Sequence, residues 1–240
     1  GASNVAIGRL AMENNTTGVN NTGVGESALA TNTTGGYHTA VGCGALRTVT
    51  TCSYNTAVGF DTLGLLTTGQ YNTAVGMSAM EAAVTGDRNV AMGYQALKLV
   101  TSGASNVAIG HKAGDAITTS NFNTALGGSA LSANSTGAQN TAIGGEALTK
   151  NTTAANNVAM GVAALACNTT GASNTAVGTQ ALQTNTTASG NVAVGLCSLF
   201  TNTTGAENVA VGKFAGHKLT TGAGNVQIGF EAGCNITTGG

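Results

Sequence analysis

The chain has 240 residues, a formal net charge of −1, 37 glycines, no proline and no tryptophan, and only 7% of its residues are charged. These values are unlike those of an ordinary globular domain. The scattered basic residues disfavour binding to nucleic acid or an anionic membrane, and no apolar run reaches the roughly 20 residues that span a bilayer.

One short motif recurs every 17 residues through fourteen copies, without an insertion or a deletion. It reads NTAVG at Asn55 to Gly59 and again at Asn72 to Gly76. Positions of the repeat are numbered here from the closing glycine, which is position 0. That glycine is found at Gly8, Gly25, Gly42, Gly59, Gly76, Gly93, Gly110, Gly127, Gly144, Gly161, Gly178, Gly195, Gly212 and Gly229.

Some positions are constrained and others are not. Position −4 is Asn in thirteen copies, with His38 as an expected tolerated substitution, and positions −2 and +3 are each Ala in twelve. Position +4 is Leu or Met in eleven copies, as at Leu63 and Leu97, and positions +8 and +9 are nearly always Thr-Thr. All seventeen charged residues lie at +1, +2, +5, +6, +11 and +12. Since unpaired charges are rarely buried, these six positions are predicted to face solvent.

The NTAVG-like segments, from residues 4–8 to residues 225–229, are predicted to be strands, and the Gly, Asn and Thr-Thr-Gly positions between them are predicted to be turns. A period of 17 residues is too short for two packed helices. The pattern therefore predicts an all-β parallel solenoid of fourteen coils with two or three short strands each, about 4.8 Å apart along the axis.

Two features agree with such a stack. Proline is absent, as expected where every strand is paired on both sides. The recurring asparagines, such as Asn55 and Asn72, are expected to form a ladder of side-chain amides. Residues 17 apart, including Gly59 and Gly76, should then be direct neighbours along the axis.

The predicted strand has two constrained, uncharged faces. One carries Asn, Ala and Gly, and the other carries Thr or Val followed by Val, Ile, Leu or Met. One face should pack inside the coil and the other against another chain. We therefore expect a homo-oligomer, and a parallel homotrimer is the simplest closed arrangement.

Three coils have glycine at position +4, and each has a large apolar residue at +7, where Asn is common elsewhere. This exchange predicts that +4 and +7 share one core, since lost volume is regained three residues later. The pairs are Gly114 with Ile117, Gly216 with Leu219, and Gly233 with Ile236.

The unit NTAVGxxALxxNTTGxx, as from Asn174, and its variant from Asn106 to Asn123 resemble the repeats of tail-fibre-domain proteins of phages and bacteria. The NVAIG core also resembles the head repeats of trimeric autotransporter adhesins, which are parallel β-rolls. The resemblance covers the whole chain and implies a trimeric extracellular fibre on a virion or cell surface. Because the chain opens and closes partway through a repeat, we expect a section of a longer fibre.

Position +12 carries Tyr37, Tyr54 and Tyr71 in successive coils, followed by Arg88. The rings are expected to stack, and the guanidinium is expected to complete the row through a cation–π contact. Exposed aromatic rows can bind glycans, so these four residues form a candidate surface site, although structural stacking is the favoured interpretation.

The sequence predicts no catalytic residue, metal site or cofactor. Glu81, Lys98 and Asp115 at position +5 are expected to form surface ion pairs, which argues against an acid and base pair. His217 and Cys234, also at +5, lack a third ligand or an orienting carboxylate. The cysteines occupy five different positions of the repeat, so neither disulfides nor a metal framework is expected. They are Cys43, Cys52, Cys167, Cys197 and Cys234.

The predicted function is a structural extracellular fibre shaft. The alternative is a binding module that uses the tyrosine row for glycans or the threonine rows for ice. Adjacent threonines at +8 and +9 are expected to point to opposite faces, which would leave at most one row outside and disfavour ice.

Overall fold

The computed structural model describes residues 1–239 and confirms an all-β parallel solenoid with 17-residue coils; no helix occurs among these residues. The chain divides into two compact units, Gly1–Asn121 and Phe122–Gly240, with seven strands each. Within each unit the strands follow one another in chain order and pair in parallel.

Each coil contributes one strand of three residues. In the first unit these are β1 Val5–Ile7, β2 Thr22–Val24, β3 Thr39–Val41, β4 Thr56–Val58, β5 Thr73–Val75, β6 Val90–Met92 and β7 Val107–Ile109. In the second unit they are β8 Thr124–Leu126, β9 Thr141–Ile143, β10 Val158–Met160, β11 Thr175–Val177, β12 Val192–Val194, β13 Val209–Val211 and β14 Val226–Ile228. The prediction of two or three strands per coil is therefore wrong, and the rest of each coil is turns.

The register follows the 17-residue period, as predicted. Val58 of β4 pairs with Val75 of β5, and Ala176 of β11 pairs with Ala193 of β12. Gly59 and Gly76 are consecutive along the axis, because a Cβ atom added to Gly59 would lie 2.8 Å from the Gly76 carbonyl oxygen.

The strands end at position 0 because the glycine there has a φ that other residues rarely adopt, between 125° and 137° in the fourteen coils. The next glycine along the axis also approaches closely. A Cβ atom on Gly144 would lie 2.5 Å from the Gly161 carbonyl oxygen. Both the torsion and the contact therefore require glycine at position 0.

Three further positions have a left-handed backbone and explain why the coil contains no second strand. Every non-glycine residue with positive φ in residues 1–239 lies at +2, +4 or +12, with φ from 47° at Asp61 to 63° at Tyr54. Left-handed residues interrupt an extended chain, so the segment between two strands folds into a series of turns.

The coil interior is built from the Asn, Ala and Leu positions. Ala176, Ala181 and Leu182 are completely buried, as are the equivalent Ala57 and Leu63 in the first unit. The Asn and Ala face of the strand therefore points inward, which the sequence did not decide. This interior accounts for one of the two uncharged strand faces.

The other strand face, at positions −3 and −1, lies on the outside of the chain. Its residues are half-buried or exposed in every coil, and Val41 and Met160 retain 36% and 40% of their accessible surface. We refer to this row of Thr, Val, Ile, Leu and Met side chains as the outer sheet face. It contains no charged residue.

Inside the coil, two asparagine ladders run along the axis. At position −4, Asn174 donates from its side chain to the Asn157 Oδ1 atom (3.2 Å) and the Ala188 carbonyl oxygen (2.9 Å). The backbone N–H of Asn174 also donates to Asn157 Oδ1 (2.9 Å). The predicted ladder is thereby confirmed. A second ladder occupies position +7 in the coils that have Asn there, and in the second unit Asn185 Nδ2 donates to Asn168 Oδ1 (2.8 Å).

The prediction that positions +4 and +7 share one core is confirmed at Gly114. A Cβ atom added there would lie 2.9 Å from Ile117 Cδ1, which fills the space. In the last two coils the space is filled differently. The side chain of Gln227, which replaces the usual Ala at position −2, lies against Gly216 and Gly233 and is 6% exposed. Leu219 is completely buried as predicted, but the prediction for Ile236 is wrong, because that side chain is exposed and Gln227 occupies part of the volume.

Candidate functional site

The tyrosine row at position +12 forms as predicted. Tyr37 and Tyr54 stack with centroids 4.9 Å apart and planes inclined by 11°, and Tyr54 and Tyr71 stack at 5.1 Å and 7°. The Arg88 Cζ atom lies 6.0 Å from the Tyr71 centroid. All four side chains are exposed.

This stacking limits what the row can bind. Sugars pack on aromatic faces, but both faces of Tyr54 are covered by its neighbours and one face of Tyr71 points towards Arg88. Apart from the face of Tyr37 that points away from Tyr54, the row therefore presents ring edges and hydroxyl groups to solvent. This geometry favours a structural role over a glycan platform.

At position +5, Lys98 pairs with Glu81 at 3.7 Å, and both side chains are about one-third exposed. No ion pair joins Lys98 to Asp115 in the described part of the chain, so the predicted row is only half formed. Burial raises the pKa of Asp115, against the opposing effect of Lys112, His111 and Lys98. Such an arrangement contributes little stability and offers no paired acid and base.

His217 and Cys234 line the same open pocket, of about 390 Å³, together with Phe214, Lys218, Glu231 and Asn235.

The His217 ring stacks on Phe200 at 5.2 Å and meets the edge of Phe214 at 5.3 Å. Its Nδ1 atom lies 3.2 Å from the Cys197 carbonyl oxygen. Within residues 1–239, no group of three or more His, Cys, Asp or Glu side chains is arranged to hold a metal ion.

The cysteines are separate thiols: Cys52 and Cys197 are buried, and Cys43 is exposed. Burial raises the pKa of Cys52 to about 11 and also raises the pKa of Cys197. A thiol with a raised pKa is a poor nucleophile near neutral pH, because the thiolate is the reactive form. These two cysteines are therefore unsuited to nucleophilic chemistry.

His38 replaces the ladder asparagine with the same hydrogen-bonding pattern. Its Nε2 atom lies 2.8 Å from the Cys52 carbonyl oxygen, and the Asn55 backbone N–H donates to its Nδ1 atom (3.3 Å). The ring is thus neutral, with the proton on Nε2. Burial lowers the pKa of His38, although the hydrogen bond to Cys52 opposes this effect.

The Thr-Thr-Gly segment at +8 to +10 forms a compact turn around a carbonyl oxygen of the next coil. The backbone N–H groups of Thr16, Thr17 and Gly18 donate to the Thr33 carbonyl oxygen at 3.0, 3.1 and 3.2 Å, and Thr16 Oγ1 donates to the same atom at 2.9 Å. Thr16 and Thr17 are both exposed. The expectation that adjacent threonines point to opposite faces is wrong, since side chains alternate only in an extended strand.

Comparison with protein-family models gives no match for this chain, and comparison with curated proteins gives no match either. None of the described residues forms a helix long and apolar enough to cross a membrane.

Sequence reasoning missed three features: the second asparagine ladder, the filling role of Gln227 and the outward direction of both threonine rows. The first two carried a signal, because Asn recurs at +7 and Gln227 breaks an alanine position beside two glycines. The third was missed although the segment was predicted to be a turn, because its two threonines were still expected to alternate in direction as in a strand.

Proposed function

We propose that the chain is a structural section of an extracellular fibre shaft, in which parallel copies, three in the simplest arrangement, associate through their outer sheet faces. The shaft spaces and supports receptor attachment on a virion or a cell surface. The observation that carries this proposal is the outer sheet face itself, which is uncharged in all fourteen coils and is not covered by the chain.

Because this face has no charged residue, its burial between chains would remove no charged group from water. Removing apolar surface from water stabilises by about 25 cal/mol per Å², and the face offers Val, Ile, Leu or Met at position −1 in each coil. A partner that contacts many coils must have the same axial repeat. Another copy of this chain has that repeat by construction.

Axial hydrogen bonds suit such a shaft to mechanical load. In the second unit, Thr175 N donates to the Asn191 carbonyl oxygen and Gly195 N donates to the Val177 carbonyl oxygen, at 2.8 and 2.7 Å. The asparagine ladders add side-chain bonds in the same direction. Stretching or bending a unit would break several such bonds between each pair of coils at once.

The solution mass of the 240-residue chain tests this proposal. We expect light scattering to give about three times the chain mass of 23.2 kDa. Val194→Lys places a charge in the outer sheet face and should shift the mass towards that of one chain. Gln183→Lys, at the solvent-facing position +5, is the matched control and should leave the assembly intact. A stable single chain in the unsubstituted protein would overturn the proposal.

A further inference from the structure

The double row of threonines in the second unit is continuous and faces solvent. Position +8 is Ser135 in the first coil of the unit and Thr in the six that follow, and position +9 is Thr in all seven. Every +9 residue is exposed, and every +8 residue is half-buried or exposed. The +8 and +9 residues of this unit are together called the threonine strip. Its +9 residues are Thr136, Thr153, Thr170, Thr187, Thr204, Thr221 and Thr238.

The two rows differ in how their hydroxyl groups are used. At +8 the hydroxyl donates to the carbonyl oxygen of the next +8 residue, at 3.0 Å from Thr169 to Thr186 and at 3.1 Å from Thr186 to Thr203. These bonds hold one coil in register with the next. At +9 no hydroxyl of residues 122–239 has a hydrogen-bond partner in the protein, so this row is free to bond to water.

The surroundings of the strip are small and uncharged. Position +10 is Gly or Ala throughout the second unit, and position +11 is Ala in five of its six described coils and Ser189 in the other. No charged residue lies between +7 and +11 in this unit. In the first unit, by contrast, Asp87 lies at +11 and the buried Val84 interrupts the +8 row. The second unit therefore carries the more regular surface.

The strip combines hydroxyl and methyl groups at a constant axial interval of about 4.8 Å. It is fixed before any ligand arrives, because the backbone of each turn donates to a carbonyl of the next coil, as from Thr169 N to the Thr186 carbonyl oxygen at 2.8 Å. A preorganised surface loses little conformational entropy when it orders a ligand. The methyl groups beside the hydroxyls add apolar surface, which is stabilised when it is removed from liquid water.

A soluble sugar or peptide would contact only one or two coils and would find no aromatic or charged anchor in the strip. A crystal of water repeats in space and can contact every coil. We propose that the threonine strip of the second unit, from Thr136 to Thr238, binds the surface of ice.

This inference does not depend on the fibre proposal, because the strip and the outer sheet face occupy different positions of the repeat. The two also have different tests. Absence of ice binding would leave the solution mass unchanged, and a single-chain protein could still bind ice.

The experiment measures thermal hysteresis and the fraction of the 240-residue chain that is incorporated into slowly grown ice. The unsubstituted chain is expected to separate the melting and freezing points and to enter the ice. Thr187→Lys introduces a charge at the middle of the strip and should lower both values several-fold. Circular dichroism should show an unchanged thermal midpoint, because the side chain is exposed.

Thr179→Lys is the matched control, since Thr179 is an exposed threonine of the same coil at position +1, where Lys213 occurs naturally. It should retain the hysteresis and ice incorporation of the unsubstituted chain. A folded chain without hysteresis and without ice incorporation would overturn the inference. Equal losses in the two variants would overturn the assignment to the strip.

Discussion

At the scale of single residues, the glycine at position 0 is the most tightly determined position in the repeat. Its torsion lies outside the range of other residues, and its neighbour along the axis leaves no room for a side chain. The sequence marks this position as constrained, because glycine recurs there every 17 residues. It did not predict the close contact between coils, which depends on the path of the backbone.

Gly144 and Gly145 offer a matched comparison. Gly144→Ala should lower the free energy of unfolding by roughly 2–4 kcal/mol, since a Cβ atom would clash with Gly161 and φ is 129°. Gly145→Ala should change it by less than about 0.5 kcal/mol, because nothing lies within 4 Å of the added atom. Chemical denaturation measures both. Similar losses in the two variants would contradict the assigned contact.

Leucine at position +4 shows where residue-level prediction reached its limit. Its burial follows from its apolar character and its period, and Leu63 and Leu97 are completely buried as predicted. Its left-handed backbone does not follow, because leucine disfavours that conformation. The only sequence signal was the replacement of leucine by glycine at Gly114, Gly216 and Gly233, where φ is 57° to 60°.

At the scale of structural elements, the asparagine ladder was predictable because a buried amide at a fixed period must find partners in the adjacent coils. The number of strands was not predictable in the same way. The Thr-Thr-Gly segment was predicted to be a turn, and this is confirmed, because its three N–H groups converge on one carbonyl oxygen in the first coil. This turn directs both threonines outward, whereas the sequence prediction placed them on opposite faces.

His38 makes the ladder sensitive to pH. Its folded-state pKa is lowered from 6.5 by burial, so the unfolded chain binds a proton more readily than the folded chain. Stability from this group is therefore complete above about pH 6.5 and decreases as the pH falls below it, by at most about 1.4 kcal/mol per pH unit. Protonation also removes the acceptor for the Asn55 N–H group.

Denaturant titrations between pH 8 and pH 5 measure this effect. His38→Asn should flatten the decrease in the free energy of unfolding, because Asn supplies the same donor and acceptor without titrating. His111→Asn, at an exposed position, should retain the decrease. Parallel pH profiles for the two variants would show that His38 is not responsible.

At the scale of the whole molecule, the period was sufficient to predict a parallel solenoid and its register. Charge placement marked six positions as facing solvent, but it did not identify the uncharged threonines at +9, which are also exposed in the second unit. The direction of the two strand faces was not predictable, because both are constrained and uncharged. Only the observed burial of the Asn and Ala face distinguishes them.

Deletions within the second unit test the register. Removal of residues 162–178 takes out one whole repeat, and the protein should unfold in one transition with a nearly unchanged midpoint, since every position still meets its equivalent. Removal of residues 162–169 shifts the later coils by eight positions relative to the earlier ones. Polar turn positions would then lie beside Asn and Ala positions, and we expect early unfolding and proteolysis at the junction.

Circular dichroism melting and limited proteolysis measure these outcomes. Equal stability of the two deletion variants would show that stacking in register is not what holds the unit together.

The left-handed residues at +2, +4 and +12 also bear on how the molecule forms. The left-handed backbone conformation costs each of these non-glycine residues about 1–2 kcal/mol. An isolated 17-residue segment therefore has little tendency to close into a coil. A completed coil supplies the carbonyl and amide partners that compensate for this unfavourable geometry. Folding should therefore begin with a rare nucleus of adjacent coils and then extend by templating, as the next segment of chain adds to an edge that is already ordered.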